Sequence, residues 1–298
     1  MSEPFQIIEG SVTAPRGFRA AGVFCDIKRL GKGAVTGRDG GPKRDLMLIV
    51  ADRPAAVAGM FTTNQVCAAP VKVSLRHARK ARAQAIVANS GNANACTGEQ
   101  GLWDAEAMVR ATAQALGLPE HDVLVCSTGR IGLPMPMNRV ASGIRAAAGT
   151  LSASRAAAAD AAEAIMTSDS VAKEVAVQLR LGGRRVTIGG IAKGAGMIEP
   201  GMSPTGRRPA SRPLHATMLA FITSDAAIDP RALKQALREA VAVSFNRITI
   251  DGDMSTNDTV LALANGHAGG PQIKRGTPAF KHFQAALDHV TRKLAQMI

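Results

Sequence analysis

Residues 216–228 read ATMLAFITSDAAI. A small residue and a threonine stand at the head of an apolar run, Met218–Thr223, with the length and side chains of a buried strand. Outward from it, α and β signals alternate without internal repeats. Further strand candidates are Leu46–Ala51, Ala85–Asn89, Val123–Ser127, Ile248–Asp251 and Val260–Asn265. Val175, Val177, Leu179 and Leu181 fall on one face. Gly182-Gly183 then permits a tight turn into Arg185–Ile188, the pattern of a hairpin.

Helices carry their own punctuation. Thr97 and Gln100 have capping-box spacing before Leu102–Leu116, and Gly117 and Pro119 act as stops. An Ala-rich segment runs from Ala153 to Met166. Asp229-Pro230 opens Arg231–Ser244, in which Leu233, Leu237 and Val241 share a face. The last helix begins at Thr277-Pro278 and spaces Phe280, Phe283, Leu287, Val290, Leu294 and Met297 by three and four. It is still amphipathic at Ile298, so the sequence reads as cut off within an element. Segment 203–215, SPTGRRPASRPLH, holds three Pro, three Arg and no acid. It reads as an exposed loop.

Composition narrows the class. The chain has 298 residues, 46% hydrophobic and 20% charged, close to the globular average. Aromatic residues are 3% and Tyr is absent, so the core must be built from Ala, Val, Ile, Leu and Met. No apolar run approaches the ~18 residues of a membrane span. The start MSEPFQIIEG lacks the basic and apolar regions of a signal peptide. A cytoplasmic protein with no membrane association is expected. Cys25, Cys67, Cys96 and Cys126 form no CxxC and the six His no HxxxH, so buried reduced thiols and no metal are expected. A net charge of +13 could suit nucleic acid. However, the basic residues are scattered in pairs without interleaved aromatics, and no nucleic acid partner is expected.

Four polar clusters carry potential chemistry. In 89–100, NSGNANACTGEQ, amides and small residues suit close approach to a ligand at a helix N-terminus. They equally suit a loop that satisfies its own backbone. In 126–132, CSTGRIG, the Thr128 hydroxyl and the Gly129 N–H could serve a developing oxyanion, or form an ordinary turn. In 189–198, GGIAKGAGMI, four glycines surround Lys193, which could face a substrate carboxylate or lie solvated on a flexible turn. No phosphate loop or dinucleotide fingerprint is present. The fourth is Ala216-Thr217. Were that peptide bond cleaved, Thr217 would carry both a hydroxyl nucleophile and a free α-amine. The amine's ordinary pKa of about 7.7–8.0 suits it as the general base.

Taken in order, VTAPRGFRAAGV (12–23), AGMFTTNQVCAAPV (58–71), VANSGNANACTGEQG (87–101), CSTGRIGLPMPM (126–137), AIMTSDS (164–170), GGIAKGAGMIEP (189–200), ATMLAFITSDAAI (216–228) and SFNRITIDGDMSTNDTVLALANG (244–266) resemble the ornithine acetyltransferase (glutamate N-acetyltransferase) family of arginine biosynthesis. The resemblance covers nearly the whole chain.

The resemblance implies an α+β fold, a layered α/β/β/α sandwich, with a second, smaller domain largely missing from these residues. It implies self-cleavage at Ala216-Thr217 into an N-terminal chain, 1–216, and the start of a C-terminal chain, 217–298. Thr217 then takes the acetyl group of N-acetylornithine and passes it to glutamate. Thr128 and Gly129 match the oxyanion pair, and Thr167, Lys193 and Thr217 match substrate-contacting positions. No cofactor is implied, although acetyl-CoA serves some members as donor. The partner chains of one precursor assemble two and two as a heterotetramer.

Two departures stand out. Ser203–His215 is an insertion just before the cleavage site. The family's later DGEGATK-like segment and C-terminal residues do not follow, which predicts an exposed Phe280/Phe283/Leu287 stripe. The alternative expectation is an unprocessed or inactive member acting only as a binding or assembly subunit.

Overall fold

The computed structural model describes residues 4–28, 36–206, 218–253 and 255–298. The chain enters through β1 (Phe5–Ile8) and β2 (Phe18–Val23) and reaches the long strand β3 (Leu46–Phe61). Then come α1 (Ala69–Ala78), β4 (Arg82–Asn92), α2 (Gly98–Leu116), β5 (Val123–Arg130), α3 (Met137–Gly149) and α4 (Arg155–Ala164). The hairpin β6 (Lys173–Leu181) and β7 (Arg184–Lys193) follows, then β8 (Leu219–Ser224), α5 (Pro230–Ala242), β9 (Thr259–Ala264) and α6 (Pro278–Met297).

These strands form one hydrogen-bonded sheet in the order β1-β6-β7-β8-β9-β3-β4-β5, with β2 added to β3. β3 organises it. Asp52, Arg53 and Pro54 interrupt the apolar pattern, and its register with β4 shifts between Val50 and Ala55. Pro lacks the N–H that a regular ladder requires, so a bulge is where a strand can hold one. Before the bulge β3 pairs with β2; after it, β3 pairs with β9. The sheet therefore has two limbs joined at β3.

Side-chain alternation then sorts the core into layers. Met47 and Ile49 of β3, Ile86 of β4 and Leu124 of β5 share a central core with Leu219 and Phe221 of β8 and Leu261 and Leu263 of β9. The opposite faces of β6 to β9 pack on α5 and α6, through Ile188, Ile222, Leu237 and Val290 among others. The opposite faces of β3 to β5 pack on α2 and α3, through Leu48, Val87, Met108 and Ile144. The order helix, sheet limb, sheet limb, helix is the layered α/β/β/α sandwich expected, with the two middle layers continuous through β3.

Helix caps behave as expected at two sites. The Asp229 carboxylate accepts from the Arg231 and Ala232 N–H groups, and the Thr277 hydroxyl accepts from Phe280 N–H. Three expectations need correction. Thr97 and Gln100 make no capping box: the Thr97 hydroxyl donates to Asn94 Oδ1, and the Gln100 amide donates to Asp104. Ile248–Asp251 forms no strand, because the Asp251 carboxylate is taken by the Met197 and Ile198 N–H groups and holds the loop after β7. Finally, the stripe on α6 is buried: Phe280 is 7% exposed and Phe283 and Leu287 are 1% exposed, because α6 lies against β6, β7 and α5. No helix among the described residues is long and apolar enough to cross a membrane.

Candidate active site

Three strand ends meet at one edge of the limb formed by β6 to β9. β7 runs antiparallel to β8 with Lys193 opposite Leu219, and β9 runs parallel to β8 with Thr259 opposite Leu219. The head of β8 thus lies between Lys193 and the residues just before β9. Met218 anchors it: its N–H donates to Asp258 Oδ1, and its carbonyl accepts from Thr259 N–H at 3.1 Å. Thr217 and Ala216, the expected cleavage pair, lie outside the described residues, as do positions 207–215 of the expected insertion.

The other limb, β3 to β5, contributes the end of β5. Lys193 Nζ crosses the central layer and donates to Thr128 Oγ1 at 3.2 Å. Both side chains are enclosed, 2% and 1% exposed. Accepting from Lys193 leaves the hydroxyl proton of Thr128 free to donate elsewhere. The next residue, Gly129, has φ +132, and a Cβ there would stand 2.4 Å from the Gly91 carbonyl carbon and 2.6 Å from Asn92 N. Only glycine fits this approach of β5 to the irregular end of β4. A second tie joins the limbs, where Asn257 Nδ2 donates to the backbone carbonyls of Ala93 and Ser127.

Thr167 enters through Asp169. The Asp169 carboxylate accepts from Thr167 N–H at 3.0 Å, from Gly194 N–H at 2.6 Å and from Lys173 Nζ at 2.7 Å. The structure therefore joins Thr128, Lys193, Asp169 and Thr167 in one network at the head of β8.

Electrostatics follow from enclosure. Burial pulls the Lys193 ammonium below its ordinary range, against Asp169 and Asp258, which favour the charge. Burial also drives the Asp258 carboxyl well above the carboxylate range, with the Met218 N–H and Lys193 only partly opposing it. For Asp169 burial pushes upward too, but Lys193, the Lys173 hydrogen bond and two amides outweigh it and hold the carboxyl below its usual value.

The Asn-rich segment proves self-satisfying. Asn89 donates to the Asn92 carbonyl and accepts from the Ser127 hydroxyl. Asn92 donates to the Leu133 and Pro134 carbonyls, and Asn94 to that of Gly101. These amides knit β4 to the following loop. Lys193, by contrast, ends a buried strand and sits on no solvated turn. Four residues earlier on β7, Gly189 admits the Ser11 carbonyl oxygen, which would be 1.9 Å from a Cβ there. Sequence reasoning did not single out Asp169, Lys173 or Asp258. Of the thiols, only Cys126 is buried; Cys25 and Cys67 are half-buried and Cys96 is exposed.

The layered fold is similar to that of the L-aminopeptidase D-Ala-esterase/amidase of Ochrobactrum anthropi, described as a variant of the Ntn hydrolase fold. The TM-score is 0.52 at 12% identity, over 98% of this chain and 88% of that one, a likeness of fold alone. The ArgJ family profile matches residues 28–298, and this chain belongs to that family. It is 51% identical over 291 residues to the arginine biosynthesis bifunctional protein ArgJ of Symbiobacterium thermophilum, covering 98% of this chain and 66% of the relative. It thus spans about two thirds of the length of the curated relatives it matches. The ornithine acetyltransferase of Mycobacterium tuberculosis, solved with ornithine, is 38% identical with a TM-score of 0.59. That match covers 67% of this chain and 100% of the solved one.

Proposed function

We propose that this chain acts as a glutamate N-acetyltransferase, moving the acetyl group of N-acetylornithine to glutamate through an ester on Thr217 exposed by cleavage after Ala216. The observation that carries this reading is the buried contact of Lys193 with Thr128, since it unites two matched positions 65 residues apart at the head of β8. The ornithine held by the M. tuberculosis relative supports the substrate class.

In the first half-reaction, Thr217 Oγ attacks the acetyl carbon and its proton passes to the Thr217 α-amine. Negative charge gathers on the acetyl oxygen, where the Thr128 hydroxyl and the Gly129 N–H stabilise it. The C–N bond breaks, the proton goes to the departing ornithine nitrogen, and an acetyl ester remains. In the second half glutamate's amine attacks the ester carbon, the bond from that carbon to Thr217 Oγ breaks, and the amine's proton returns to Oγ by way of the α-amine, so one nucleophile and one oxyanion site serve both steps. Lys193 and Thr167 face the substrate; acetyl-CoA is an alternative donor for the same ester. The N-terminal chain, 1–216, and the C-terminal chain, of which 217–298 is the start, stay together in one subunit, and subunits pair as a heterotetramer in the cytoplasm.

The test is transfer of labelled acetyl from N-acetylornithine to glutamate, with intact-mass analysis of the protein after the donor alone. An acetylated piece beginning at Thr217 supports the reading. Binding of N-acetylornithine with no acetylated species and no transfer replaces it with the binding-subunit alternative.

A further inference from the structure

Arg180 and Arg185 stand directly opposite each other on β6 and β7, the second cross-strand pair from the Gly182-Gly183 turn. In a two-residue hairpin the pair beside the turn is hydrogen-bonded, so the next pair is the close kind, with side chains nearest one another. Like charges placed directly opposite on a sheet are destabilising. Among the described residues neither arginine has an ion pair, and the acids of the flanking elements are engaged elsewhere. Glu174 pairs with Arg155, Asp225 takes the Thr187 N–H and Arg16, and Asp288 accepts from the Gln284 amide.

Both arginines line a cleft of about 590 Å³, at the corner where the hairpin and β1 pass α6. No acid is among the described residues that line it. β1 is an edge strand, and it sets Gln6 opposite Gln178. Alternation puts Gln178 on the same face of β6 as Arg180. With His282 of α6, these two carboxamides add N–H donors to the guanidiniums. Phe5 and Leu179 supply an apolar wall, and the Phe5 ring is braced by His289, with centroids 4.8 Å apart. Lys193 ends the same strand β7 at its far end. At about 3.3 Å per residue, Arg185 and Lys193 are roughly 26 Å apart, so the cleft is separate from the candidate active site.

We propose that this cleft binds a phosphate group, free or carried by an organic molecule, between Arg180 and Arg185. Guanidinium forks pair bidentately with phosphate oxygens, and an anion between two of them turns a repulsion into charge-assisted hydrogen bonds. A phosphate monoester carries close to two negative charges near neutral pH, matching the two arginines, whereas a carboxylate carries one. The volume lies within the range of sites that hold organic ligands, and the apolar wall gives such a ligand's body a place to rest. The site does not depend on the Thr217 reading.

The test is calorimetric titration of the intact chain at low salt with inorganic phosphate, pyrophosphate and adenosine diphosphate. Saturable binding of at least one probe, one per chain, is expected. Arg180→Gln and Arg185→Gln should each weaken it by about tenfold or more, as loss of a charge-assisted hydrogen bond does. Arg238→Gln makes the same charge change at an exposed position of α5 and should leave binding unaltered. In anion-free buffer Arg185→Gln should melt no lower than wild type, because it relieves the repulsion. Tighter binding of the nucleotide than of pyrophosphate identifies an organic phosphate that uses the apolar wall. Tighter binding of the inorganic ions identifies free phosphate, and either result supports the shared chemistry. Absence of saturable binding by all three probes overturns the proposal. So does binding that survives both arginine changes, or that falls equally in Arg238→Gln. An Arg185→Gln protein that melts well below wild type overturns it too, since that guanidinium would already be satisfied within the chain.

Discussion

Lys193 Nζ donates to Thr128 Oγ1 across 3.2 Å, and that bond joins the ends of β7 and β5 on opposite limbs of the sheet. A cation fixed on the oxygen of a hydroxyl polarises it as a donor. The Thr128 proton is then left free to donate to a charge that forms beside it.

The Thr128→Ala variant removes that donor and leaves the Gly129 N–H. Chemistry should slow by about 10²–10³-fold, as with loss of one donor from other oxyanion sites. KM should change far less, because the donor acts on charge present only during reaction. Thr128→Ser keeps a hydroxyl and should recover much of the rate. Steady-state kinetics of the three proteins checks this. A variant that loses binding and keeps kcat places Thr128 in substrate recognition.

At Gly129 the expected effect is on stability as well as rate. An added methyl would stand 2.4 Å from Gly91 C, in a backbone conformation with φ +132 that side chains avoid. Neither β4 nor β5 can withdraw without breaking the parallel ladder that joins them. Gly129→Ala should therefore cost about 2–4 kcal/mol in urea unfolding, typical of backbone overpacking with strain. A midpoint equal to wild type would show that the strands separate freely there.

Lys28 provides a pH test. Burial, then Lys43, pulls its pKa from 10.5 down to about 7, while Asp45, Glu163 and Asp169 favour the charge. Nζ donates to the Arg44 carbonyl. Because the folded pKa lies below the unfolded one, the folded state binds fewer protons between the two values, and stability rises with pH across that window. The cost of the charge is complete below about pH 7 and vanishes above pH 10.5. Chemical denaturation of wild type and Lys28→Met from neutral to alkaline pH should show the difference shrinking as pH rises. A constant difference means that Lys28 is charged at no cost.

What was legible in the sequence follows from what local patterning can carry. Buried strands of β4, β5, β8 and β9 announce themselves because both faces are apolar, and the β6–β7 hairpin because its turn is glycine. The second half of β3 was hidden by Asp52-Arg53-Pro54, which reads as a loop yet lies inside a strand that bulges and changes partners. Ile248–Asp251 erred the other way: its apolar residues resemble a strand, but Asp251 is committed to the amides of Met197 and Ile198. Thr128 and Lys193 stood out as candidates in their own polar clusters before the resemblance matched them, and Thr167 was named through resemblance alone. Asp169 and Asp258 were not, since their importance lies in partners distant in sequence. The available signal was a lone carboxylate in each of two polar segments, TSDS and STND.

Cleavage before Thr217 yields the last prediction. In the proposed route, an N-to-O acyl shift would place the Ala216 acyl group on the Thr217 hydroxyl, and water would then split the ester. Thr217→Ala removes the attacking oxygen and should leave the 298-residue chain whole, with no acetylated species on incubation with N-acetylornithine. Thr217→Ser keeps a hydroxyl on a freer side chain, so both steps should persist more slowly. The extra stretch 203–215 need not prevent this. Its start is tied down, Ser203 exchanging two backbone hydrogen bonds with Phe61 at the end of β3. Lengthening a connection costs only logarithmically in entropy, about 0.6 kcal/mol per doubling. Beyond it, Met218 is held by Asp258 and Thr259, which fixes the chain on the leaving-group side of the bond. Denaturing mass spectrometry of freshly purified wild type, Thr217→Ala and Thr217→Ser decides the matter. A piece starting at Thr217 in the wild type and absent from the Ala variant is expected. The same break in all three would make it ordinary proteolysis and remove Thr217 from the chemistry.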